Sequence, residues 1–129
     1  MPFGADNVRF FAGAARMLEG KAAGEYSPDH LSFLRRDPLG VVAAICPWNY
    51  PFQIEVWKIF PAMAAGNTVV MKPATETPLS AFELAEICAE AGLPSGVLNV
   101  VTGRGAEIGP TLIGHPDVRM VCVTGDTET

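Results

Sequence analysis

Apolar positions along the chain follow two periodicities, and the changes between them mark the elements. Over residues 6–19, Val8, Phe11, Ala15 and Leu18 recur at three- and four-residue intervals, predicting an amphipathic helix closed by Gly20. Residues 21–37 lose that period. Short extended pieces around Ser27-Pro28-Asp29, followed by Leu31, Phe33 and Arg35-Arg36, predict a hairpin. From Pro38 a regular regime begins. Val41-Val-Ala-Ala-Ile45, Val69-Val-Met71, Val97-Leu-Asn-Val-Val101 and Met120-Val-Cys-Val123 are continuous apolar runs of strand length. Helical stretches alternate with them: 52–65 stopped by Gly66, 79–91 stopped by Gly92, and about 106–113 ended by Gly114-His-Pro116. Pro51 and Pro78 suit a first helical turn, Thr77 is placed to cap the second of these helices, and Pro110 falls within about the first turn of the third.

Apolar strands alternating with helices imply the α/β class, with a partial doubly wound parallel sheet and right-handed crossovers. Ligands of such sheets bind beyond the carboxyl ends of the strands. The segments leaving those ends are therefore the candidate site: Cys46-Pro-Trp-Asn-Tyr-Pro51, Lys72-Pro-Ala-Thr-Glu-Thr-Pro78, Thr102-Gly-Arg-Gly105 and Thr124-Gly-Asp-Thr127.

Composition narrows the chemistry. The chain has 129 residues, 49% hydrophobic and 18% charged, as an ordinary globular domain has. The formal charge is −5, and the 9 Lys and Arg residues are scattered, so a nucleic-acid partner is not expected. No apolar run reaches the roughly 20 residues that cross a bilayer, and the amino terminus lacks a secretion signal, so no membrane partner and a cytoplasmic location are expected. Cys46, Cys88 and Cys122 lack CxxC spacing and read as buried free thiols. His30 and His115 have no second ligand at metal spacing, and no Gly-x-Ser-x-Gly elbow occurs, so neither a metal nor serine-hydrolase chemistry is expected.

After the first strand, prolines on both sides of Trp48-Asn49-Tyr50 restrain the backbone, so the Asn49 amide is held at a strand tip and can serve as an oxyanion donor. It can equally cap the helix that begins at Pro51, and the residues alone leave both roles open. Tyr50, Ile54 and Trp57 share one helical face by spacing; such a stripe can line a channel, although it is more often core. Lys72 at the end of the second strand suits ribose hydroxyls or phosphate, or simply solvent. Gly103, Gly105 and Gly109 open the third helix without matching the GxGxxG fingerprint, and Gly125 follows the fourth strand.

Six segments in register resemble the aldehyde dehydrogenase superfamily: Pro38-Leu-Gly-Val, Cys46-Pro-Trp-Asn-Tyr-Pro51, Ala64-Ala-Gly-Asn-Thr-Val-Val-Met-Lys-Pro73 with Thr77-Pro78, Gly92-Leu-Pro-Ser-Gly96, Gly103-Arg-Gly105 and Val123-Thr-Gly125. Within it, Asp6-Asn-Val-Arg-Phe-Phe-Ala-Gly-Ala-Ala-Arg16, Ala23-Gly-Glu-Tyr26 and Arg35-Arg-Asp-Pro-Leu-Gly40 resemble the gamma-aminobutyraldehyde (aminoaldehyde) dehydrogenases. The resemblance implies a Rossmann-like cofactor domain whose first half is 38–129, a helix over 1–20 packed on it, and an oligomerisation hairpin over 21–37 that builds a homodimer or homotetramer. It implies NAD or NADP as cofactor and a small aldehyde, possible aminoaldehydes included, as substrate, oxidised to a carboxylic acid. By the same resemblance Asn49 stabilises the oxyanion of the thiohemiacetal. Pro47, Trp48, Lys72, Ala74, Thr75, Gly105, Gly109, Gly125 and Asp126 hold the cofactor, and Tyr50, Ile54 and Trp57 line the aldehyde tunnel.

Three departures bear on function. Thr75 stands where NAD-preferring members often carry glutamate, with Glu76 displaced by one; losing the carboxylate removes repulsion toward a 2′-phosphate, so tolerance of NADP is expected. Asp126 replaces a common serine beside the diphosphate and suits the cap of a following helix. The nucleophilic cysteine and general-base glutamate of the family lie beyond the Thr-Gly motif, outside this sequence, so the isolated chain is expected to be inactive. Part of an NAD(P)-dependent aldehyde dehydrogenase is the favoured reading; the alternative is a non-catalytic nucleotide-binding or assembly module that pairs with full-length subunits.

Overall fold

A computed structural model describes residues 2–20 and 24–126. In chain order the elements are α1 (Pro2–Ala14), β1 (Gly24–Ser27), β2 (His30–Ser32), β3 (Val41–Ile45), α2 (Pro51–Ala64), β4 (Thr68–Lys72), α3 (Leu79–Glu90), β5 (Leu98–Val100), α4 (Gly105–Ile113) and β6 (Val118–Val123). β1 and β2 form an antiparallel hairpin turned at Asp29, which takes a left-handed backbone (φ 65°) that aspartate tolerates in turns.

The remaining strands make one sheet in the order β5-β4-β3-β6, and every neighbouring pair is parallel. Two successive crossovers, through α2 and α3, carry the chain outward from β3; the third, through α4, returns it to the other side of β3. The direction of winding therefore reverses between β3 and β6, which opens a crevice at their carboxyl ends.

Alternation along the strands sorts the core. Ala44, Cys46, Val69 and Met71 face Val56 and Ile59 of α2 and Ala81, Leu84 and Cys88 of α3. Ala43 and Ile45 face the opposite way, against Leu112 of α4 with Val70, Ile108, Val118 and Val121 beside them. Two helices thus cover one face and a single short helix covers the other.

Four local expectations are corrected. The first helix spans Pro2–Ala14 instead of 6–19. It begins early because Gly4 has no Cβ and lets the Phe52 ring lie against it; a Cβ there would fall 2.2 Å from Phe52 Cε1. Beyond Ala14 the helix tightens into three-residue turns, with the Arg16 N–H donating to Gly13 O and the Met17 N–H to Ala14 O. Thr77 does not cap α3: the cap position is Pro78, and the Thr77 hydroxyl is buried without a partner. Asn49 does not cap α2, whose cap position is Tyr50 and makes no side-chain bond. Pro110 sits well inside α4, leaving Ala106 O without the N–H it would receive from a residue other than proline.

The end of α2 is tied to the start of β3. Gly66 N–H donates to Met63 O and Asn67 N–H to Ala62 O, the paired closure that needs a left-handed residue, and Gly66 supplies it at φ +84°. Asn67 then accepts the Leu39 N–H (2.7 Å) and Gly40 N–H (3.0 Å) and donates to Ala62 O (3.0 Å). Gly66→Ala is expected to lower unfolding stability in urea by about 1–2 kcal/mol, the usual cost of a left-handed non-glycine residue, raised further by a Cβ 2.7 Å from Pro38 Cγ. An unchanged midpoint would show that this closure does not limit stability.

Candidate cofactor and oxyanion site

The strand ladders continue past the tips of the sheet and hold the loops that follow. Cys46 N–H donates to Lys72 O (3.0 Å), Val101 N–H to Met71 O (2.9 Å) and Thr124 N–H to Ile45 O (3.1 Å). From those anchored points the loops surround a cleft of about 560 Å³ at the reversal of winding. Pro47, Trp48 and Asn49 contribute one wall, Lys72, Ala74, Thr75 and Glu76 another, and Gly105, Gly125 and Asp126 complete the rim.

Asn49 is exposed on this cleft, and no hydrogen bond engages its amide among the described residues. Lys72 is buried, with its Nζ donating to Pro73 O at 2.9 Å, so its stem is fixed while the side chain borders the cleft. The Thr75 hydroxyl donates to Gly103 O (3.3 Å), which joins the loop after β4 to the loop before α4. No side chain caps α4 at Arg104, so the first N–H groups of this helix, beginning at the cleft-lining Gly105, keep their donor capacity for an anion.

Gly109 lies one step away. With Ile45, Lys72, Gly105 and Pro110 it lines an adjoining cleft of about 380 Å³, and apart from chain neighbours and the backbone of α4 itself no atom lies within 4 Å of where a Cβ of Gly105 or Gly109 would be. That open backbone, a cationic stem and an uncapped helix start fit an elongated diphosphate-bearing ligand. A larger apolar cleft of about 690 Å³, bordered by Val41, Val70, Val101 and Leu112, lies under α4 and contains none of the predicted site residues.

The aromatic stripe is dispersed. Tyr50 borders a small cleft with Phe3 and Phe52, Ile54 packs on the core, and Trp57 borders another cleft and donates from Nε1 to Asn7 Oδ1 at 2.8 Å. Tyr50 precedes the helix with φ −162° and ψ 57°, so helical spacing does not apply to it.

Cys46 borders the site, and the sequence alone marks it only as a buried thiol. Burial pushes its pKa up to about 12, against a smaller lowering by Lys58, so it stays a neutral thiol and not a nucleophile. Lys58 is the residue that sequence reading missed. Buried on α2, its Nζ donates to Ile45 O (3.0 Å) and Cys122 O (2.8 Å), joining β3 to β6 directly beneath the cleft. A lysine at an apolar position of an otherwise core-facing helix was the available signal.

The fold and cleft define a parallel α/β unit of the dinucleotide-binding class. The aldehyde dehydrogenase family model matches residues 1–129, and the chain belongs to that family. It is 54% identical over 126 residues to phenylacetaldehyde dehydrogenase of Pseudomonas fluorescens, covering 94% of this chain and 25% of that protein. The NAD⁺ complex of a Bacillus cereus aldehyde dehydrogenase superposes with TM-score 0.91 at 41% identity, covering 97% of this chain and 25% of that one. The NADP complex of an NADP-dependent glyceraldehyde-3-phosphate dehydrogenase from Bacillus halodurans gives TM-score 0.88 at 43% identity, covering 97% and 27%. The chain therefore spans about a quarter of the length of the relatives it matches. Among the described residues no helix is long and apolar enough to cross a membrane.

Proposed function

We propose that the strand-tip cleft is the first half of an NAD or NADP site in an enzyme that oxidises an aldehyde to a carboxylic acid. One observation carries this reading: Asn49, Lys72, Gly105 and Gly125, which lie at or just after the carboxyl ends of four different strands, border a single cleft at the point where the sheet reverses its winding. Lys72 would hold the adenosine ribose, with Ala74 and Thr75 beside it. Gly105 and Gly109 would admit the diphosphate against the start of α4, and Pro47 and Trp48 would border the nicotinamide. Gly125 and Asp126 would close the rim. The bound cofactor supplies the oxidant for the aldehyde.

Asn49 would direct its amide at the oxygen that becomes anionic when a thiolate adds to the aldehyde. In this reading the thiolate and the general base come from outside the present sequence. The family resemblance would assign Tyr50, Ile54 and Trp57 to the aldehyde approach, although in this fold they lie in separate places outside the cleft. The substrate class we favour is an aminoaldehyde, on the resemblance carried by residues 6–16, 23–26 and 35–40; phenylacetaldehyde, named for the Pseudomonas relative, is the competing substrate. The hairpin at residues 21–37 would mediate homo-oligomer assembly, a role supported by its exposed Leu31, Phe33 and Leu34.

Trp48 reports the site directly, because it is 65% exposed on the cleft while Trp57 lies elsewhere. In Trp57→Phe, titration with NAD or NADP is expected to give saturable quenching of Trp48. Thr75→Glu is expected to weaken NADP against NAD by roughly tenfold, since a carboxylate at that place repels the 2′-phosphate. Glu76 borders the same cleft, so part of that repulsion is already present and Glu76→Gln should move discrimination the opposite way. A Trp48 signal indifferent to both dinucleotides would end this reading.

A further inference from the structure

Glu55, in the second turn of α2, is fully buried, and nothing in the proposed chemistry uses it. Its Oε1 accepts a hydrogen bond from Ser80 Oγ at 3.1 Å, across the α2–α3 contact. Its Oε2 is sealed from solvent with no partner. Among the described residues no cation pairs with it. Lys58 on the same helix has its nitrogen committed to Ile45 O and Cys122 O, and Lys72 of β4 donates to Pro73 O. Just past the end of β3, Cys46 feels the charge of Glu55 and is a neutral thiol. On α3, Cys88 is a buried thiol whose pKa burial raises, while Glu83, Glu86 and Glu90 are exposed, as are Asp6 and Arg9 of α1. A carboxylate in this setting would be a buried charge without compensation, whereas the neutral acid removes that cost.

The position matters as much as the charge. Ser80 lies in the first turn of α3, immediately after the loop that carries Ala74, Thr75 and Glu76. Glu55 lies just after the loop that carries Pro47, Trp48 and Asn49. The Glu55–Ser80 bond therefore ties together the starts of the two helices whose leading loops form opposing walls of the cleft.

We propose that Glu55 is a neutral positioning acid: protonated, it lies dry in the α2–α3 contact and keeps the two loops at the spacing the cleft requires. Loss of its proton leaves a buried charge that only hydration relieves, and water entering the contact parts the helix starts even though the carboxylate accepts the Ser80 bond more strongly. Burial, opposed only by the Ser80 hydrogen bond, raises its pKa from 4.5 to about 7. The folded state thus keeps a proton that the unfolded chain has lost, so this group's contribution to stability is complete below the unfolded value, falls as pH rises between the two, and is gone above about 7. The binding consequence rests on the dinucleotide reading of the cleft, whereas the stability consequence does not.

The test measures urea midpoints and the Trp48-monitored dissociation constant of NAD and NADP at about pH 6 and pH 8, in wild type, Glu55→Gln and Ser80→Ala. Glu55→Gln, which keeps the shape without the charge, is expected to gain stability relative to wild type as pH rises. Wild-type dissociation constants are expected to increase roughly threefold to tenfold over the same interval, and those of Glu55→Gln to stay level. Ser80→Ala should bind weakly at both values. Parallel stability profiles for wild type and Glu55→Gln overturn the neutral acid whatever the binding does. A divergence in stability with level wild-type binding overturns positioning and leaves a structural acid. Divergence in stability with no dinucleotide bound at either pH defeats the reading of the cleft instead.

Discussion

Asn49→Ala is expected to lower kcat by roughly 10²–10³-fold in a chimera where this segment replaces the corresponding quarter of the phenylacetaldehyde dehydrogenase to which it is 54% identical. The amide sits on the cleft without a hydrogen-bond partner among the described residues, and the adjacent helix is capped at Tyr50 without it. Its backbone is restrained by Pro47 and Pro51 and anchored by the Cys46 N–H bond to Lys72 O at 3.0 Å. A donor fixed in place before reaction stabilises charge that exists only in the transition state, so its removal lowers kcat and leaves dinucleotide affinity near its original value. Asn49→Asp keeps the size but replaces the NH2 donor with a carboxylate oxygen that repels the developing oxyanion, and should lose at least as much. Since the side chain makes no structural hydrogen bond, thermal transitions of both variants should match the parent chimera. Retention of kcat within about threefold in Asn49→Ala would remove the oxyanion role.

The central strands were legible because helices cover them on both faces and they read as unbroken apolar runs; Val41–Ile45 appears in the structure as anticipated. That the cleft would lie beyond the strand tips was also legible, since it follows from strand polarity; the reversal of winding that fixes its place was not. Helix limits were less legible. Ala15 and Leu18 continue the apolar interval of the first helix, but only the packing of Gly4, Asn7 and Val8 on α2 decides which turns persist. Spacing placed Tyr50 with Ile54 and Trp57 because it assumed helical dihedrals at a residue that lacks them. Asn67, Lys58 and Glu55 were opaque for a different reason. Their partners lie across 25 to 64 positions of sequence, at Ser80, Leu39 and Cys122, and periodicity carries no information over that distance.

Lys58→Met tests how far the site depends on one such contact, with an expected loss of about 2–4 kcal/mol in urea unfolding. Methionine keeps the apolar stem and volume of lysine and deletes only its donors. Ile45 O still accepts the Thr124 N–H, so what is lost is the bridge from α2 itself, at both Ile45 O and Cys122 O. Both carbonyls belong to the strands on either side of the reversal, within two residues of the loops that carry Asn49 and Gly125. Loosening there should reach the cleft, and amide exchange at Cys46 and Thr124 is expected to accelerate more than exchange at Val69 in the core of β4. Arg35→Ala supplies the contrast: its 2.9 Å pair with Asp37 is exposed on both sides, and its loss should change stability by less than about 1 kcal/mol. If Lys58→Met proves as mild as Arg35→Ala, the two strands hold their tips without the bridge from α2, and the cleft owes its shape to the ladder alone.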